Sequence, residues 1–398
     1  MLSKNYRNPS PQTLRISVWE RGRAVAICLL IAVCTCASAV NAYAGGMVSV
    51  SDGEQTYLGK VVALNKQTCS LMDRQGQLVH LDVPSLKSFE KISARYQPLA
   101  ASQLRHELRQ EFSDGYEVSG TTHYLVCGPV GRSARYAELF EEIYRDVEQF
   151  YRVRGFNVVA PEVPLIAVVF QTQKEFIEYC IRDQVAPSPG LMGYYSLKTN
   201  RVALFDDARL LSGEVQLPNE LLTHDGLVSA SAGISSTTAN TVIHETTHQV
   251  GYNIGIHSRL AETPIWLVEG LATVLEPAGM RNSSGRKLLS QRINEERVNW
   301  FTKQHRPKRS MGNLAKIVAS DQFFYRYTLN GYSEAWAFTF FLLENPSRRK
   351  DLVTYLQIIG ARDPMVAYPA KQRLQDFQKA FGDISRLEVE FIRYMDRM

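Results

Sequence analysis

Apolar residues recur along this chain first at the spacing of strands and later at the spacing of helices. The segments 57–64, 68–72 and 77–83 are short β-prone runs with a turn at 73–76, and they predict a small β module over 45–95. A polar, helix-prone linker follows over 98–112, and 116–127 alternates as one strand that ends at Gly128-Pro129. Ser133 is placed to cap a long helix in which Tyr136, Leu139, Phe140, Ile143, Val147, Phe150 and Tyr151 recur at helical spacing, with Gly155 as its stop. That aromatic stripe reads as core packing against a sheet, and no cofactor box is visible in it. The unbroken apolar run 163–170 suits a buried strand, and 174–182 a shorter helix. The runs 193–197 and Arg201–Phe205 then flank Lys198-Thr-Asn200 as a hairpin.

From here the pattern turns helical. Residues 223–240 are rich in Ser, Thr, Gly and Ala and read as a loop, with Ser236, Thr237 or Thr238 as possible caps for the next helix. In that helix Val242, Ile243, Val250 and Ile254 form an apolar face. Thr263 and Pro264 are suited to start a second helix, whose buried side is Trp266, Leu267, Leu271 and Val274. The basic, polar segment 281–309 reads as a solvated face with a loop, or alternatively as a grip for an acidic partner. Gly331 opens an apolar helix that Asn345-Pro346 stops, and two further helical stretches lead to Met398. The expected fold class is therefore α+β: a β module over 45–95, a mixed-sheet domain over 96–280, and a helical part over 281–398 that completes the cleft.

Composition changes the picture mainly at the start of the chain. With 45% hydrophobic and 21% charged residues, 398 residues can bury a sizeable core. Arg15, Arg21 and Arg23 precede an apolar run over 24–40 and the small residues Ala42-Tyr-Ala44. A basic flank, an apolar run and an A-x-A end predict a signal peptide over 1–44, cleaved near Ala44, and hence export to the periplasm or the medium. Membrane attachment is expected only if that segment stays uncleaved. Its loss removes five basic residues and one acidic residue, which lowers the net charge from +5 to +1 and leaves no case for a nucleic-acid partner. Three cysteines would remain, Cys69, Cys127 and Cys180, enough for one internal disulfide at most.

The candidate chemistry lies in Thr241 to Glu276. His-Glu-Thr-Thr-His occupies 244–248, and residues four apart share a helix face, so His244 and His248 can offer two imidazole nitrogens to one metal. Glu245 stands beside the first histidine, within reach of a water on that metal. With 8 His in the chain, chance alone would produce such a pentapeptide in roughly one of a hundred chains of this composition, so its context decides. A catalytic zinc wants a third protein ligand and an open position. Ile254 fills the place where a third histidine would follow Gly251, and His257 falls three residues beyond it. Glu269 is the stronger candidate, an acid in the middle of an otherwise apolar helix; the other reading is a salt bridge to an arginine.

His-Glu-x-x-His followed by Trp-Leu-x-Glu-Gly resembles the gluzincin metallopeptidases of the peptidase MA-like superfamily. Together with PLIAVVF, GYYSLKTNRVALFDD and GYSEAWAFTFFLL, it is also similar to a bacterial family of exported, peptidase-like proteins. The resemblance implies a zincin-like fold, with an active-site helix under a sheet whose edge strand, here Arg201–Phe205, aligns a peptide. It implies His244, His248 and Glu269 as zinc ligands, and Glu245 as the general base that takes a proton from a zinc-activated water. It further implies an oxyanion-stabilising residue on a later helix, where Tyr332 stands; alternatively Tyr332, Trp336 and Phe340 form only a core stripe. The acidic residue that thermolysin-like members carry one turn after the glutamate ligand is here Thr273, which leaves Asn240 or Glu276 to support the metal site. The expected function is an exported zinc metallopeptidase acting on peptide or protein substrates. The alternatives are a non-catalytic cell-envelope interaction protein on the same scaffold, and a zinc hydrolase of other substrates.

Overall fold

The computed structural model describes residues 45–112, 114–188, 190–206, 236–281 and 288–398. The segment 1–44 expected as a signal peptide lies outside the described residues, as do residues 223–235 of the loop expected over 223–240; its last five residues, 236–240, are helical rather than loop. The fold is α+β, with two five-stranded sheets and a helical C-terminal part.

The first sheet is the expected β module, but it holds five strands where three runs were expected. Strands β1 (Met47–Ser51), β2 (Thr56–Leu64), β3 (Thr68–Asp73), β4 (Leu78–Asp82) and β5 (Ser88–Ser93) pair antiparallel in the order β4-β3-β2-β1-β5. Strand β5 escaped notice because its side chains are mostly exposed and show no apolar alternation. Gly76 takes φ +85 in the β3–β4 turn, a backbone state open to glycine at little cost.

Helix α1 (Ala101–Glu111) is no mere linker, since Leu104 and Leu108 are buried against the second sheet. That sheet contains β6 (Tyr116–Gly120), β7 (Tyr124–Pro129), β8 (Leu165–Phe170), β9 (Gly193–Tyr195) and β10 (Arg201–Phe205), in the order β6-β7-β8-β10-β9. The stretch expected as one strand at 116–127 is thus a hairpin, β6–β7. The three central strands are parallel and both edges antiparallel, so the sheet is mixed. Buried on both faces, β8 carries no polar residue. Successive residues alternate between two cores: Leu165, Ala167, Val169, Val202 and Leu204 face one, and Ile166, Val168, Phe170, Ala203 and Phe205 the other.

Helices α2 (Ser133–Val153) and α4 (Ser236–Asn253) cover the first face, and α1 and α3 (Gln173–Arg182) the second. The whole aromatic stripe of α2 is buried, as expected. Ser133 does not cap α2; Arg132 holds that position, and the Ser133 hydroxyl bonds Glu117 and Ser119 instead. Helix α5 (Ile265–Leu275) follows, then α6 (Glu295–Trp300), α7 (Asn313–Ala319), α8 (Thr328–Glu344), α9 (Pro346–Gly360), α10 (Ala370–Phe381) and α11 (Ile384–Met395). Three helices, not two, follow Asn345. Helix α8 begins at Thr328, ahead of Gly331, which lies inside it because a Cβ there would come 2.8 Å from the Phe324 ring. Helices α5, α8 and α2 share one continuous apolar core with the C-terminal helices.

Two corrections bear on function. Arg201–Phe205 is not an edge strand, because β10 is paired on both sides; the edge is β9. The segment 281–309 is not simply solvated, since Arg281, Asn294 and His305 are buried and the Arg309 side chain is only 1% exposed. Cys69, Cys127 and Cys180 are free and buried, and burial pushes their thiols up to about 11, 12 and 11. No described helix is long and apolar enough to cross a membrane.

Candidate metal centre

Helix α4 is fixed beneath the sheet by its apolar face and by two amides. Val242, Ile243, Val250 and Ile254 are fully or nearly fully buried. Gln249, also buried, donates to the carbonyls of Ile166 (3.0 Å) and Asn200 (2.7 Å), so one side chain ties the helix to strand β8 and to the residue that leads into β10. Asn253 and Asn200 exchange reciprocal amide hydrogen bonds of 2.8 and 2.9 Å. Burying these amides is tolerable because their hydrogens are satisfied. At the helix start, Thr238 donates to the fully buried Asp206, which also pairs with Arg132.

Helix α5 is set differently from the sequence expectation. It begins at Ile265, Thr263 makes no capping bond, and the first N–H is accepted by Asp321 from a distant segment at 2.9 Å. The glycine after Glu269 has a definite cause. A Cβ on Gly270 would lie 2.7 Å from the Ala335 carbonyl and closer still to Thr339, so only glycine lets α8 pack this tightly on α5. That approach brings Tyr332 to Glu269.

The three expected ligands converge. One donor atom each of His244, His248 and Glu269 lies within 4.8 Å of the others. The two Nε2 atoms are 3.0 Å apart, and Glu269 Oε2 stands 3.3 and 3.6 Å from them. That oxygen is buried without a hydrogen-bond partner, an arrangement a shared cation would satisfy. The donor set, two imidazoles and one carboxylate, suits a first-row divalent metal. The side chains of His244, His248 and Glu269 remain 17, 10 and 17% exposed, so solvent still touches the site.

Electrostatics agree with the geometry. Burial works against a charged Glu269, but the neighbouring imidazoles of His248 and His244 outweigh it and hold the carboxyl well below its usual range. Burial likewise disfavours protonated His244, but the carboxylate of Glu269 beside it and the hydrogen bond to Glu276 hold its pKa well above the ordinary histidine value. His244 Nδ1 is 2.8 Å from Glu276 Oε1, which resolves the choice between Asn240 and Glu276 at this atom. Asn294 Nδ2 donates to the other Glu276 oxygen at 2.5 Å, a link absent from the sequence reading.

Glu245 is partly exposed and forms no hydrogen bond or ion pair with a described residue. Tyr332 faces the same carboxylates: the charge of Glu269, then burial, then the charge of Glu245 push its phenol well above the ordinary value. Tyr332 also packs against the core, its ring edge-on to Phe324, while Trp336 and Phe340 stack on each other with centroids 5.3 Å apart. His257 lies against Gly251, and burial, aided by His248, pushes it down to about 3. It does not join the converging donors. Sequence reasoning missed Gln249, Asn294 and Arg297; the last places its guanidinium carbon 5.4 Å from the centroid of the Tyr332 ring.

Residues 238–366 are similar to a family described as a protein of unknown function (DUF1570). The match spans every residue of the metal centre, including Glu245, Tyr332 and Arg297. No curated protein matches the chain.

Proposed function

We propose that the protein is an exported, gluzincin-type zinc metallopeptidase acting on peptide or protein substrates on a zincin-like scaffold. The observation that carries this reading is the convergence of His244, His248 and the unpartnered Glu269 oxygen beside a free Glu245 and a tyrosine phenol. A purely structural zinc site fills all four positions with protein ligands, whereas three ligands and an open side suit catalysis. Zinc, when bound, supplies Lewis-acid polarisation of a carbonyl and acidifies water toward neutral pH.

The chain's own residues carry the proton work. Glu245 accepts a proton from the attacking water and returns it to the departing amine. Tyr332 donates its phenolic hydrogen to the oxyanion that develops on the scissile carbonyl. Glu276 holds the His244 ring in the tautomer that carries hydrogen on Nδ1, leaving Nε2 free as a donor to metal. The antiparallel edge strand β9 offers backbone groups to an extended peptide. Export rests on the basic, apolar and A-x-A pattern of the first 44 residues.

Zinc content and hydrolysis of an unbiased peptide library, measured for the protein and its Glu245→Gln variant, test this reading. Zinc retained by both and hydrolysis lost only in the variant is the expected result. Stoichiometric zinc with no hydrolysis by either protein would favour a non-catalytic interaction protein of the cell envelope.

A further inference from the structure

Helix α6, from the segment expected to be a solvated basic face, delivers a cation to the metal centre. Its start is fixed by Asn294, whose Oδ1 accepts the Arg297 N–H at 3.2 Å while its Nδ2 donates to Glu276. Arg297 then lies over the ring of Tyr332, the residue that faces Glu269 and Glu245. One guanidinium nitrogen, Nη1, donates to the neighbouring Glu296 at 3.1 Å. Nε is buried and has no hydrogen-bond partner, Nη2 donates to no described residue, and the side chain as a whole keeps 16% of its surface exposed. Those two nitrogens form the edge with which arginine grips a carboxylate through two parallel hydrogen bonds. The carboxylates nearest this helix start are already engaged, Glu296 by Nη1 of Arg297 and Glu276 by Asn294 and His244, and neither takes the Nε and Nη2 edge.

We propose that the Nε and Nη2 edge of Arg297 receives a carboxylate of the substrate, so that the protein prefers peptides with an acidic group close to the bond it acts on. The inference rests on the peptidase reading and deepens it to a substrate class. A C-terminal carboxylate and an Asp or Glu side chain present the same planar group, and stacking on Tyr332 holds the fork in one plane. Arg297 is thus a specificity residue.

The test uses one labelled pentapeptide in three forms: free acid, C-terminal amide, and C-terminal amide with a Glu scanned through its positions. Binding by fluorescence anisotropy is measured on Glu245→Gln protein, alone and combined with Arg297→Gln or Arg297→Lys. The acid forms are expected to bind roughly 10- to 100-fold more tightly than the neutral amide, the scale of a charge-assisted bidentate contact. Arg297→Gln should abolish that difference and leave the neutral amide unchanged, and Arg297→Lys should restore part of it, because an ammonium lacks the fork. The free acid and the internal Glu, compared with each other, identify which carboxylate is read. With Glu245 intact, Arg297→Gln should raise KM for the acid forms more than for the neutral amide. Equal loss for acid and amide, no preference for acid, or no binding of any form would overturn the proposal. Hydrolysis without acid preference would sink this inference alone, whereas acid-selective binding without hydrolysis would sink the peptidase reading alone.

Discussion

The Nδ1 atom of His244 lies 2.8 Å from Oε1 of Glu276, and Asn294 holds the second oxygen of the same carboxylate. The contact joins the C-terminal end of helix α5 to the helix that bears both histidines. A carboxylate on the far nitrogen fixes ring orientation and raises the basicity of the near one.

Glu276→Gln should therefore keep the metal stoichiometry but weaken affinity by roughly 10- to 100-fold, the usual cost of losing such a partner. Competition with a chelator of known zinc affinity measures it. Unchanged affinity would mean that Glu276 merely neutralises charge.

Glu269 and His257 make opposite predictions for the third ligand. Both sit beside His248, but only Glu269 contributes a converging atom, while His257 Nδ1 is buried without a partner. Zinc content after dialysis should collapse in Glu269→Ala and persist in His257→Ala. The reverse outcome would move the third ligand to His257.

What was readable in the sequence was local. The i, i+4 histidines, Glu269 within an apolar helix, the β9–β10 hairpin and the fully apolar strand β8 follow from spacing and composition within one element. What was not readable depends on partners far away in the chain. Strand order decides that β10 is internal and β9 the edge, and five residues of β10 carry no mark of it. The start of helix α5 is satisfied by Asp321 rather than by Thr263, and two residues of similar propensity do not reveal that exchange. Arg297 looks like any other basic residue of 281–309 until α6 packs on α8 and brings it over Tyr332. Gln249 offered a hint, a long amide on the same helix as the apolar face of Val242, Ile243, Val250 and Ile254.

Tyr332 is placed to act on charge that develops during the reaction. Its phenol adjoins Glu269 and Glu245, and burial together with those charges keeps it protonated at neutral pH. Tyr332→Phe should lower kcat by roughly 10²- to 10³-fold, as removal of an oxyanion donor does, with KM and zinc content nearly unchanged. A wild-type kcat in the variant would return Tyr332 to the aromatic stripe with Trp336 and Phe340.

The helix that carries Tyr332 is anchored by a buried charge cluster, which gives stability a defined pH dependence. Glu334, fully buried, accepts hydrogens from Arg309 at 2.6 and 2.9 Å, from Asn313 at 2.6 Å, and from His305. Burial opposes its charge, but His305 and Arg309 outweigh that and hold its pKa below the ordinary glutamate value. An unfolded glutamate titrates near about 4.3, so the contribution of Glu334 is fully present above that pH and is lost as pH falls through the lower folded value. At pH 7 Glu334→Gln should cost roughly 1.5 to 3 kcal/mol, the scale of a charged hydrogen bond, because Arg309 loses one of its two buried carboxylates and keeps Glu388 at 2.6 Å. Urea unfolding of both proteins from about pH 7 down to about pH 3 should show that gap narrowing once the unfolded carboxyl begins to protonate. A gap of constant size over the whole range would show that Glu334 acts through its shape and hydrogen bonds, with no contribution from its charge.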